Sequence, residues 1–317
     1  MDFEALAPTL FCGQCFRWRK LPDGSYEGIA GDRYAHITRE SLPELLKDGF
    51  WADYFDTGLD YGAVRRDFCR LDPVLARAVR FAPEIRILKQ DPWEALCTFL
   101  LSQCNNIGRI RGMVERLCAS YGAVPGGGAL PEAVSDPPGC TAPFSPPAAK
   151  MPAFSDPDPC YPIRARSLRD SANRSGGDRE RTLSAAFPGP EKLAGAREED
   201  LRALGFGYRA PYVVDAARRV ASGEVDFGRL HTLPLDAARE ELCRIRGVGP
   251  KVADCTLLYG LHRLEAFPLD VWTKRAMHRL FPGRKTAWFG PYAGIAQQYL
   301  FHYSRCHPEL FRESSGI

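Results

Sequence analysis

A glycine-rich run, Gly247-Val248-Gly249-Pro250-Lys251, constrains the fold of this chain more than any other feature of its sequence. Apolar residues at helical spacing stand on both sides, with Leu242 and Ile245 before the run and Val252 and Leu258 after it. Glycine adopts backbone conformations that a Cβ forbids, and proline suits the first position of a helix. The run therefore predicts a tight hairpin between two helices, the second of which begins with free backbone amides that can bind a phosphate.

Two ionisable residues lie beside the predicted hairpin. Lys251 falls in the first turn of the second helix, and a lysine amine that has lost its proton is a nucleophile. Asp270 stands nineteen residues later, at the predicted N-cap of a further helix, where its carboxylate could face a cation that develops near Lys251. Taken alone, a Gly-x-Gly-x-Lys turn is more often an ordinary turn with a solvated lysine, and an N-cap aspartate is more often structural.

The order of strand and helix signals predicts an α+β protein. Short strands are indicated at 16–19, 26–29 and 34–38, with a turn at 22–24. Helices are indicated at 92–104, 107–120, 198–204, 209–221, 235–245, 250–261, 270–281 and 291–302. We therefore predict an N-terminal antiparallel β-sheet domain over residues 1–88 and a mainly α-helical domain over residues 89–317.

Residues 123–186 interrupt the helical domain. They contain eleven of the 26 prolines of the chain, a glycine run at 126–128 and an arginine-rich stretch at 164–181. This composition predicts a disordered insertion rather than a folded segment. Acidic residues interrupt the arginines, so a solvated linker is favoured over a DNA-binding arm.

Composition sets few limits on the partner. The formal net charge is only +3, so any nucleic-acid surface has to be local. The N-terminus lacks a basic region followed by an apolar core, and no stretch approaches the roughly 18 apolar residues of a membrane span. We expect an intracellular soluble monomer without a membrane partner, in the cytoplasm and nucleoid of a bacterium or the nucleus of a eukaryote.

Five sequence blocks, in the family's order, resemble the 8-oxoguanine DNA glycosylase branch of the helix-hairpin-helix (HhH-GPD) glycosylase superfamily. The blocks are Gly13–Trp18, Asp91–Glu94 continued by Asn105–Ile110 and Gly112–Cys118, Leu204–Ala210, Gly247–Asp270, and Gly290–Gly294 with Gln297 and Phe301. Together they span nearly the whole chain outside residues 123–186. The resemblance implies a base-excision-repair enzyme that flips 8-oxoguanine out of duplex DNA, opposite cytosine, and excises it.

The resemblance also implies catalytic roles for both residues beside the hairpin. Lys251 would attack the sugar C1′ as the damaged base leaves and form a Schiff base, after which β-elimination could nick the strand. Asp270 would stabilise the oxocarbenium charge and position the lysine. A lysine at this position distinguishes bifunctional glycosylase-lyases from relatives that use the aspartate and water. We therefore expect both DNA N-glycosylase and AP lyase activity.

A base-binding pocket is implied for four residues. Phe301 and Cys255 would stack on opposite faces of the base, and Gln297 would bind its pairing edge. The carbonyl of Gly13 would accept from the N7 hydrogen that 8-oxoguanine carries and guanine lacks, so it would repel the undamaged base.

DNA-binding roles are implied for a further set of residues. Tyr208 matches the wedge that inserts beside the lesion. Arg109 and Arg209 match the side chains that hold the orphaned cytosine, since arginine can bond bidentately to a base edge. Gly247 and Gly249 would let a phosphate approach the hairpin.

Two positions depart from the family pattern. Cys104-Asn105-Asn106 stands where the family commonly has three asparagines, the first of which helps fill the gap left by the flipped base. Cys104 and Asn105 are expected at the DNA, but the opposite-base preference stays open. Trp272 stands where family members often have a histidine that contacts phosphate; tryptophan can stack or pack there but cannot replace a cation.

Two alternative functions are weaker. An endonuclease-III-like or other helix-hairpin-helix glycosylase would act on a different lesion, but such relatives usually carry a four-cysteine iron-sulfur cluster near the C-terminus, and here only Cys306 lies beyond Cys255. A non-catalytic DNA-binding protein would keep the hairpin glycines without the catalytic and pocket side chains. We expect no iron-sulfur cluster, no metal ligands and no required cofactor, with a monovalent cation at the hairpin left open. The expected partner is double-stranded DNA that contains oxidised guanine.

Overall fold

The computed structural model describes residues 1–123 and 185–311. The insertion predicted for 123–186 therefore lies outside the described residues except at its two ends. These ends meet, because the backbone N–H of Ala186 donates to the carbonyl of Ala123 at 2.7 Å. The helical domain thus resumes beside the point at which it was interrupted.

The N-terminal part carries the predicted antiparallel sheet. Its strands are β1 (Trp18–Lys20), β2 (Tyr26–Ala30) and β3 (Arg33–Ile37), in the order β1-β2-β3. Trp18 lies opposite Gly28, and a Cβ on Gly28 would stand 2.2 Å from the indole. Glycine is therefore needed at this position for the Trp18 ring to cover the neighbouring strand.

Helices make up most of the remaining described chain. The first are α1 (Leu6–Leu10), α2 (Leu42–Leu45), α3 (Gly49–Tyr54), α4 (Tyr61–Leu71) and α5 (Pro73–Phe81). They are followed by α6 (Pro92–Leu101), α7 (Ile107–Tyr121), α8 (Pro190–Ala194), α9 (Glu198–Ala203), α10 (Ala210–Ala221), α11 (Phe227–Thr232), α12 (Leu235–Leu242), α13 (Pro250–Cys255), α14 (Val271–Leu280) and α15 (Ala293–Cys306). A π-helix (Thr256–Gly260) continues α13, and 3₁₀ turns lie at Phe3–Ala5, Gly207–Arg209, Thr286–Tyr292 and Pro308–Phe311. In the part of the chain that the structure describes, no helix combines the length and apolarity needed to cross a membrane.

Polar caps and prolines set where several helices begin. An Asp or Asn side chain accepts from first-turn amides in α3, α4, α5, α6, α7, α11 and α14. Proline occupies the first position of α5, α6 and α13. Both devices satisfy or remove amides that have no partner within the helix. They explain why the predicted starts at 92, 107 and 250 agree with the structure.

The segment predicted as one regular helix over 250–261 changes type part-way along it. After α13, the N–H of Leu261 donates to the carbonyl of Thr256, five residues back, at 3.2 Å. This wide turn packs on α6, where a Cβ on Gly260 would stand 2.7 Å from the Cα of Pro92. Glycine thus permits the two backbones to approach closely.

Two hydrophobic clusters form the core. The smaller contains the buried face of the sheet with α1 and α3, including Trp18, Ile37 and Phe55. The larger surrounds α6 and includes buried residues of α4 and α5 as well as those of the later helices. The predicted α+β class is confirmed. The domain boundary at residue 88 does not coincide with the division between the clusters and stays a prediction.

Candidate active site

Gly247 allows the predicted hairpin to pack against a helix. Its φ is +83°, and a Cβ built on it would stand 2.3 Å from Cδ2 of Tyr212 on α10. No residue with a side chain fits here without displacing the tyrosine ring. The carbonyl of Gly247 accepts from Nε2 of Gln103 at 3.0 Å, so the hairpin is also tied to the segment that follows α6.

The surroundings of Gly249 are open, in contrast to those of Gly247. It is the N-cap of α13 with an extended backbone, and a Cβ built on it would meet no atom within 4 Å. This side of the hairpin is therefore open, and a phosphate could approach the backbone there without meeting a side chain.

Lys251, in the first turn of α13, is half-buried and its amine is held in place. Its Nζ donates to Oγ of Ser102 at 2.8 Å and lies 5.1 Å from the centre of the Phe99 ring. Both partners belong to the end of α6. The lysine is therefore directed by a neighbouring helix, whereas a purely structural surface lysine would extend into solvent.

Asp270 is the N-cap of α14, as predicted, and it forms a capping box with Thr273. Its Oδ1 accepts from the backbone N–H of Thr273 and from the Thr273 hydroxyl, each at 2.7 Å. The N–H of Asp270 in turn donates to the same hydroxyl at 2.8 Å. Because Thr273 is fully buried, this box fixes the direction of the carboxylate.

The thiol of Cys255 lies near both residues that are predicted to be catalytic. Burial raises the pKa of this thiol to about 12, while the Lys251 charge lowers that pKa and the Asp254 and Asp270 charges raise it. Lys251 and Cys255 are one turn apart on α13, and the Asp270 charge acts on the same thiol. A neutral thiol also provides a polarizable surface of the kind on which a flat ring can stack.

The loop that carries Gly13 lies against two candidate pocket walls. Gly13 has φ +95°, and a Cβ built on it would stand 3.4 Å from Cε1 of Phe301 and 3.1 Å from Cδ1 of Ile107. Fully buried Gln14 holds the loop, because its Nε2 donates to the carbonyls of Thr9 and Arg86 at 2.8 Å each. The position of the Gly13 backbone is therefore set by the core.

Helix α15 supplies the other side of this pocket. Gln297 and Phe301 are four residues apart, so they lie on one face of the helix. The amide of Gln297 is buried, and its Oε1 accepts from the Tyr259 hydroxyl at a long 3.4 Å. The next residue, Gln298, donates to the carbonyl of Cys12 at 3.3 Å. This bond links α15 directly to the loop that contains Gly13.

Tyr208 is an exposed aromatic beside the hairpin. Its side chain is 51% exposed, and its ring makes an edge contact with Tyr212 at 6.1 Å between centroids. Its hydroxyl donates weakly to the carbonyl of Gln103 at 3.4 Å. Exposure of a large ring at this point agrees with the wedge role, which stays a prediction.

The two arginines predicted to hold the opposite base differ in their surroundings. Arg109, on the first turn of α7, is exposed. Arg209 is only 6% exposed, and its guanidinium donates to the carbonyls of Gln103, Cys104 and Phe206. It therefore clamps the loop after α6 in this structure. A contact between Arg209 and a base requires some of these bonds to break, and it stays a prediction.

Cys104 and Asn105 occupy this clamped loop. Cys104 is exposed, with a left-handed φ of +49°. Asn105 donates through Nδ2 to the carbonyl of Leu101 at 3.1 Å, while its Oδ1 is buried and has no hydrogen-bond partner among the described residues. A contact between this acceptor and DNA requires Asn105 to turn outwards, and it stays a prediction.

Trp272 packs partly against its own helix and against Phe311 in the last described turn. Its ring centre lies 6.4 Å from that of Phe311, and the Arg275 guanidinium stands 5.6 Å from it. A cation is therefore present one turn further along α14, beside the position at which family members often have histidine.

Comparison with known protein families and structures shows the family to which this chain belongs. A family model for the N-terminal domain of 8-oxoguanine DNA glycosylase matches residues 4–96, and the HhH-GPD superfamily of base excision DNA repair proteins matches residues 165–287. A solved structure of MBOgg1 in complex with a low-affinity DNA ligand is 34% identical, with a TM-score of 0.71, and covers 95% of this chain and 91% of its own. The chain belongs to the 8-oxoguanine DNA glycosylase family.

Other members of this family are also similar. The Clostridium acetobutylicum 8-oxoguanine glycosylase/lyase, solved with duplex DNA containing cytosine opposite 8-oxoguanine, is 29% identical with a TM-score of 0.70, covering 95% of this chain and 91% of its own. A probable N-glycosylase/DNA lyase of Methanothermobacter thermautotrophicus is 38% identical over 180 residues, 48% of this chain and 56% of the archaeal protein. The match thus spans little more than half of that relative.

Several residues of this glycosylase site were not predicted. Ser102 and Gln103 contact Lys251 and Gly247, and Gln298 and Tyr259 hold the pocket helix. The first two directly precede Cys104, so the sequence signal was their adjacency to a recognised block. Among residues 1–123 and 185–311, no group of three His, Cys, Asp or Glu side chains could hold a metal ion.

Proposed function

We propose that this chain is a bifunctional base-excision-repair enzyme that removes 8-oxoguanine opposite cytosine in duplex DNA and nicks the resulting abasic strand. The names of its relatives support both activities, as N-glycosylase/DNA lyases and 8-oxoguanine glycosylase/lyases. The observation that carries the proposal is the Lys251 amine, which Ser102 holds in place beside the open side of the hairpin at Gly249.

The reaction begins with extrusion of the damaged nucleotide, at a cost of a few kcal/mol. The Lys251 amine then forms a bond to C1′ while the C1′–N9 bond breaks, and its electron pair leaves with the base. Asp270 stabilises the positive charge that develops on the sugar. Ring opening gives a protonated imine, and loss of a C2′ proton expels the 3′ phosphate, which nicks the strand.

Lesion recognition is assigned to the pocket between the Gly13 loop and α15. The carbonyl of Gly13 accepts the N7 hydrogen of 8-oxoguanine, and Gln297 binds the pairing edge. Phe301 and Cys255 stack on the two faces of the base. The proximity of the Gly13 loop to Phe301 supports this assignment, because the proposed discriminating carbonyl and the proposed stacking ring then belong to neighbouring residues.

The opposite strand and the phosphates are assigned to the exposed side of the hairpin. Tyr208 acts as the wedge, and Arg109 with Arg209 holds the unpaired cytosine. The amide oxygen of Asn105 and the thiol of Cys104 border the gap left by the flipped base. Gly247 and Gly249 shape the phosphate contact of the hairpin. Trp272 supports a further phosphate contact by packing.

The proposal includes no cofactor, iron-sulfur cluster or metal, and it leaves a monovalent cation at the hairpin open. The enzyme acts as a monomer on double-stranded DNA inside the cell. A modest number of phosphate contacts, about 3 to 5, gives a slope of log K against log salt of roughly −3 to −4.

The experiment that tests this function uses four duplexes with 8-oxoguanine opposite each base, one duplex with an oxidised pyrimidine, and an undamaged control. Release of the free base and nicking of the strand are measured separately. We expect both products, fastest opposite cytosine and absent from the undamaged duplex. Binding without base release would instead indicate a non-catalytic DNA-binding protein, and release from oxidised pyrimidines alone would indicate an endonuclease-III-like enzyme.

A further inference from the structure

Ser102 stands between the nucleophile and the end of α6. Its Oγ lies 2.8 Å from Nζ of Lys251 and 2.7 Å from the carbonyl oxygen of Phe99. Ser102 is the C-cap of α6 and is partly buried. One hydroxyl therefore connects the backbone of the helix to the amine of the lysine.

The two bonds fix which way the serine proton points. A serine hydroxyl carries one proton and two acceptor lone pairs, and a carbonyl oxygen can only accept. The proton of Ser102 is thus committed to Phe99, so the oxygen faces Lys251 as an acceptor. A neutral amine bound in this way donates one of its own hydrogens and keeps its lone pair free for the sugar.

The frame around this contact is rigid. The Phe99 ring, 5.1 Å from the lysine Nζ, is buried and stacks on Tyr259 at 5.1 Å and 19°. The next residue, Gln103, donates to the carbonyl of Gly247 at 3.0 Å. The segment around Ser102 is thus fixed on one side by the buried Phe99 ring and on the other by the bond from Gln103 to the hairpin. The distance between Ser102 and Lys251 is therefore set by the fold.

We propose that Ser102 is a positioning residue that orients the amine of Lys251 for attack. The proposal rests on the proposed function, in which Lys251 forms the Schiff base. Accurate placement of a reacting atom contributes strongly to rate, and a misplacement of about 1 Å can cost about 100-fold. Loss of one orienting hydrogen bond is a smaller change, so we expect about a tenfold slower covalent step in Ser102→Ala.

Thr98 provides a matched control on the same helix. It is buried, and its hydroxyl donates to the carbonyl three residues back, Ala95, at 3.1 Å, as that of Ser102 does to Phe99. Within residues 1–123 and 185–311, the Thr98 hydroxyl bonds to that carbonyl alone and contacts neither Lys251 nor the hairpin. Thr98→Val therefore removes a hydroxyl bond to the carbonyl three residues back on the same helix, but it leaves the contact with Lys251 in place.

The test is single-turnover borohydride trapping on an 8-oxoguanine duplex, with the duplex Kd measured in parallel. Ser102→Ala should trap about tenfold more slowly at unchanged Kd, Ser102→Thr should recover to within about threefold of wild type, and Thr98→Val should trap at the wild-type rate. If Ser102→Ala does not fold, Ser102→Cys, which keeps the size but is a poor acceptor, replaces it with the same expectation.

Four results overturn the proposal. If the wild type is trapped and Ser102→Ala is trapped at the same rate, Ser102 has no positioning role, but the proposed function stands. An equal slowing in Thr98→Val, or no recovery in Ser102→Thr, shows a structural effect of α6. Absence of trapping in the wild type overturns the proposed function itself, and the inference with it.

Discussion

Gly13 and Phe301, almost three hundred residues apart in sequence, lie next to each other in the structure. A Cβ added to Gly13 would stand 3.4 Å from Cε1 of the phenylalanine ring. The N-terminal loop and the final long helix are thus neighbours, as the proposed base pocket requires. In that proposal, base recognition depends on the packing of the N-terminal part on the helical domain.

Replacing Gly13 with alanine should impair excision without abolishing DNA binding. The φ of +95° is strained for any side chain, at a cost of about 1 to 2 kcal/mol, and the added methyl group occupies space between the loop and Phe301. We expect at least a tenfold lower single-turnover rate on 8-oxoguanine. Gly24→Ala is the control, because Gly24 has φ +90° and open space around it; it should lose similar stability but no activity. Equal loss of activity in both variants would contradict the pocket assignment.

Arg109 and Arg209 should respond differently to alanine. Arg209 is buried and donates to three backbone carbonyls, so Arg209→Ala should lower the free energy of unfolding by about 2 to 3 kcal/mol. Arg109 is exposed, so Arg109→Ala should leave the melting temperature unchanged while reducing the preference for cytosine opposite the lesion. Calorimetry and excision from the four duplexes measure the two effects. A stable Arg209→Ala with normal loop structure would contradict the clamp.

Arg275 should contribute one phosphate contact near Trp272. Its guanidinium lies 5.6 Å from the indole centre, so the cation stands where the histidine of other family members would act. Arg275→Ala should reduce the slope of log K against log salt by about 1. Arg202→Ala serves as control, because that arginine pairs with Glu198 on α9. An unchanged slope in Arg275→Ala would place this arginine away from the DNA.

Glu94 should make stability depend on pH. Burial raises the pKa of its carboxyl to about 7, against a lowering effect of Arg17 at 3.5 Å and a raising effect of Asp91. The folded pKa is above the unfolded value of 4.5, so the folded state holds the proton more tightly. The resulting stabilisation is complete below about pH 4.5 and is lost as pH rises towards 7.

Glu94→Gln isolates this effect, because glutamine resembles the protonated acid. The variant and the wild type should have similar free energies of unfolding at pH 5, whereas at pH 7.5 the variant should be more stable, by on the order of 3 kcal/mol. The comparison cancels other groups, such as His302, whose burial lowers its pKa to about 4 and acts in the opposite direction. Denaturant titration at both pH values measures the difference in free energy of unfolding between the variant and the wild type. The same difference at pH 5 and at pH 7.5 would contradict the raised pKa of Glu94.

The sequence predicted those parts of the molecule that depend on local rules. The hairpin glycines, the proline start of α13 and the Asp270 cap follow from backbone geometry alone, and the structure contains each of them. The strands and helix starts likewise agree within a few residues. Helix ends were less accurate, because α6 stops at Leu101 and α12 at Leu242, both short of the last apolar residue in the pattern.

Long-range relationships were not predictable in this way. Nothing local distinguishes Ser102 from any serine at a helix end, and its contact with Lys251 depends on how α6 packs against the hairpin. The burial of Arg209 has the same origin, since two of its three carbonyl partners, Gln103 and Cys104, belong to a loop about one hundred residues earlier. The π-helix after Cys255 arises from packing on α6 rather than from periodicity.

The most direct test of the central claim is to locate the covalent bond between enzyme and DNA. The wild-type protein is trapped with borohydride on a duplex carrying 8-oxoguanine opposite cytosine, digested, and mapped by mass spectrometry. The account predicts a reduced sugar adduct on Nζ of Lys251, and no trapped complex in Lys251→Gln even though that variant still binds the duplex. An adduct on another lysine or on the N-terminal amine, or undiminished trapping by Lys251→Gln, would contradict it.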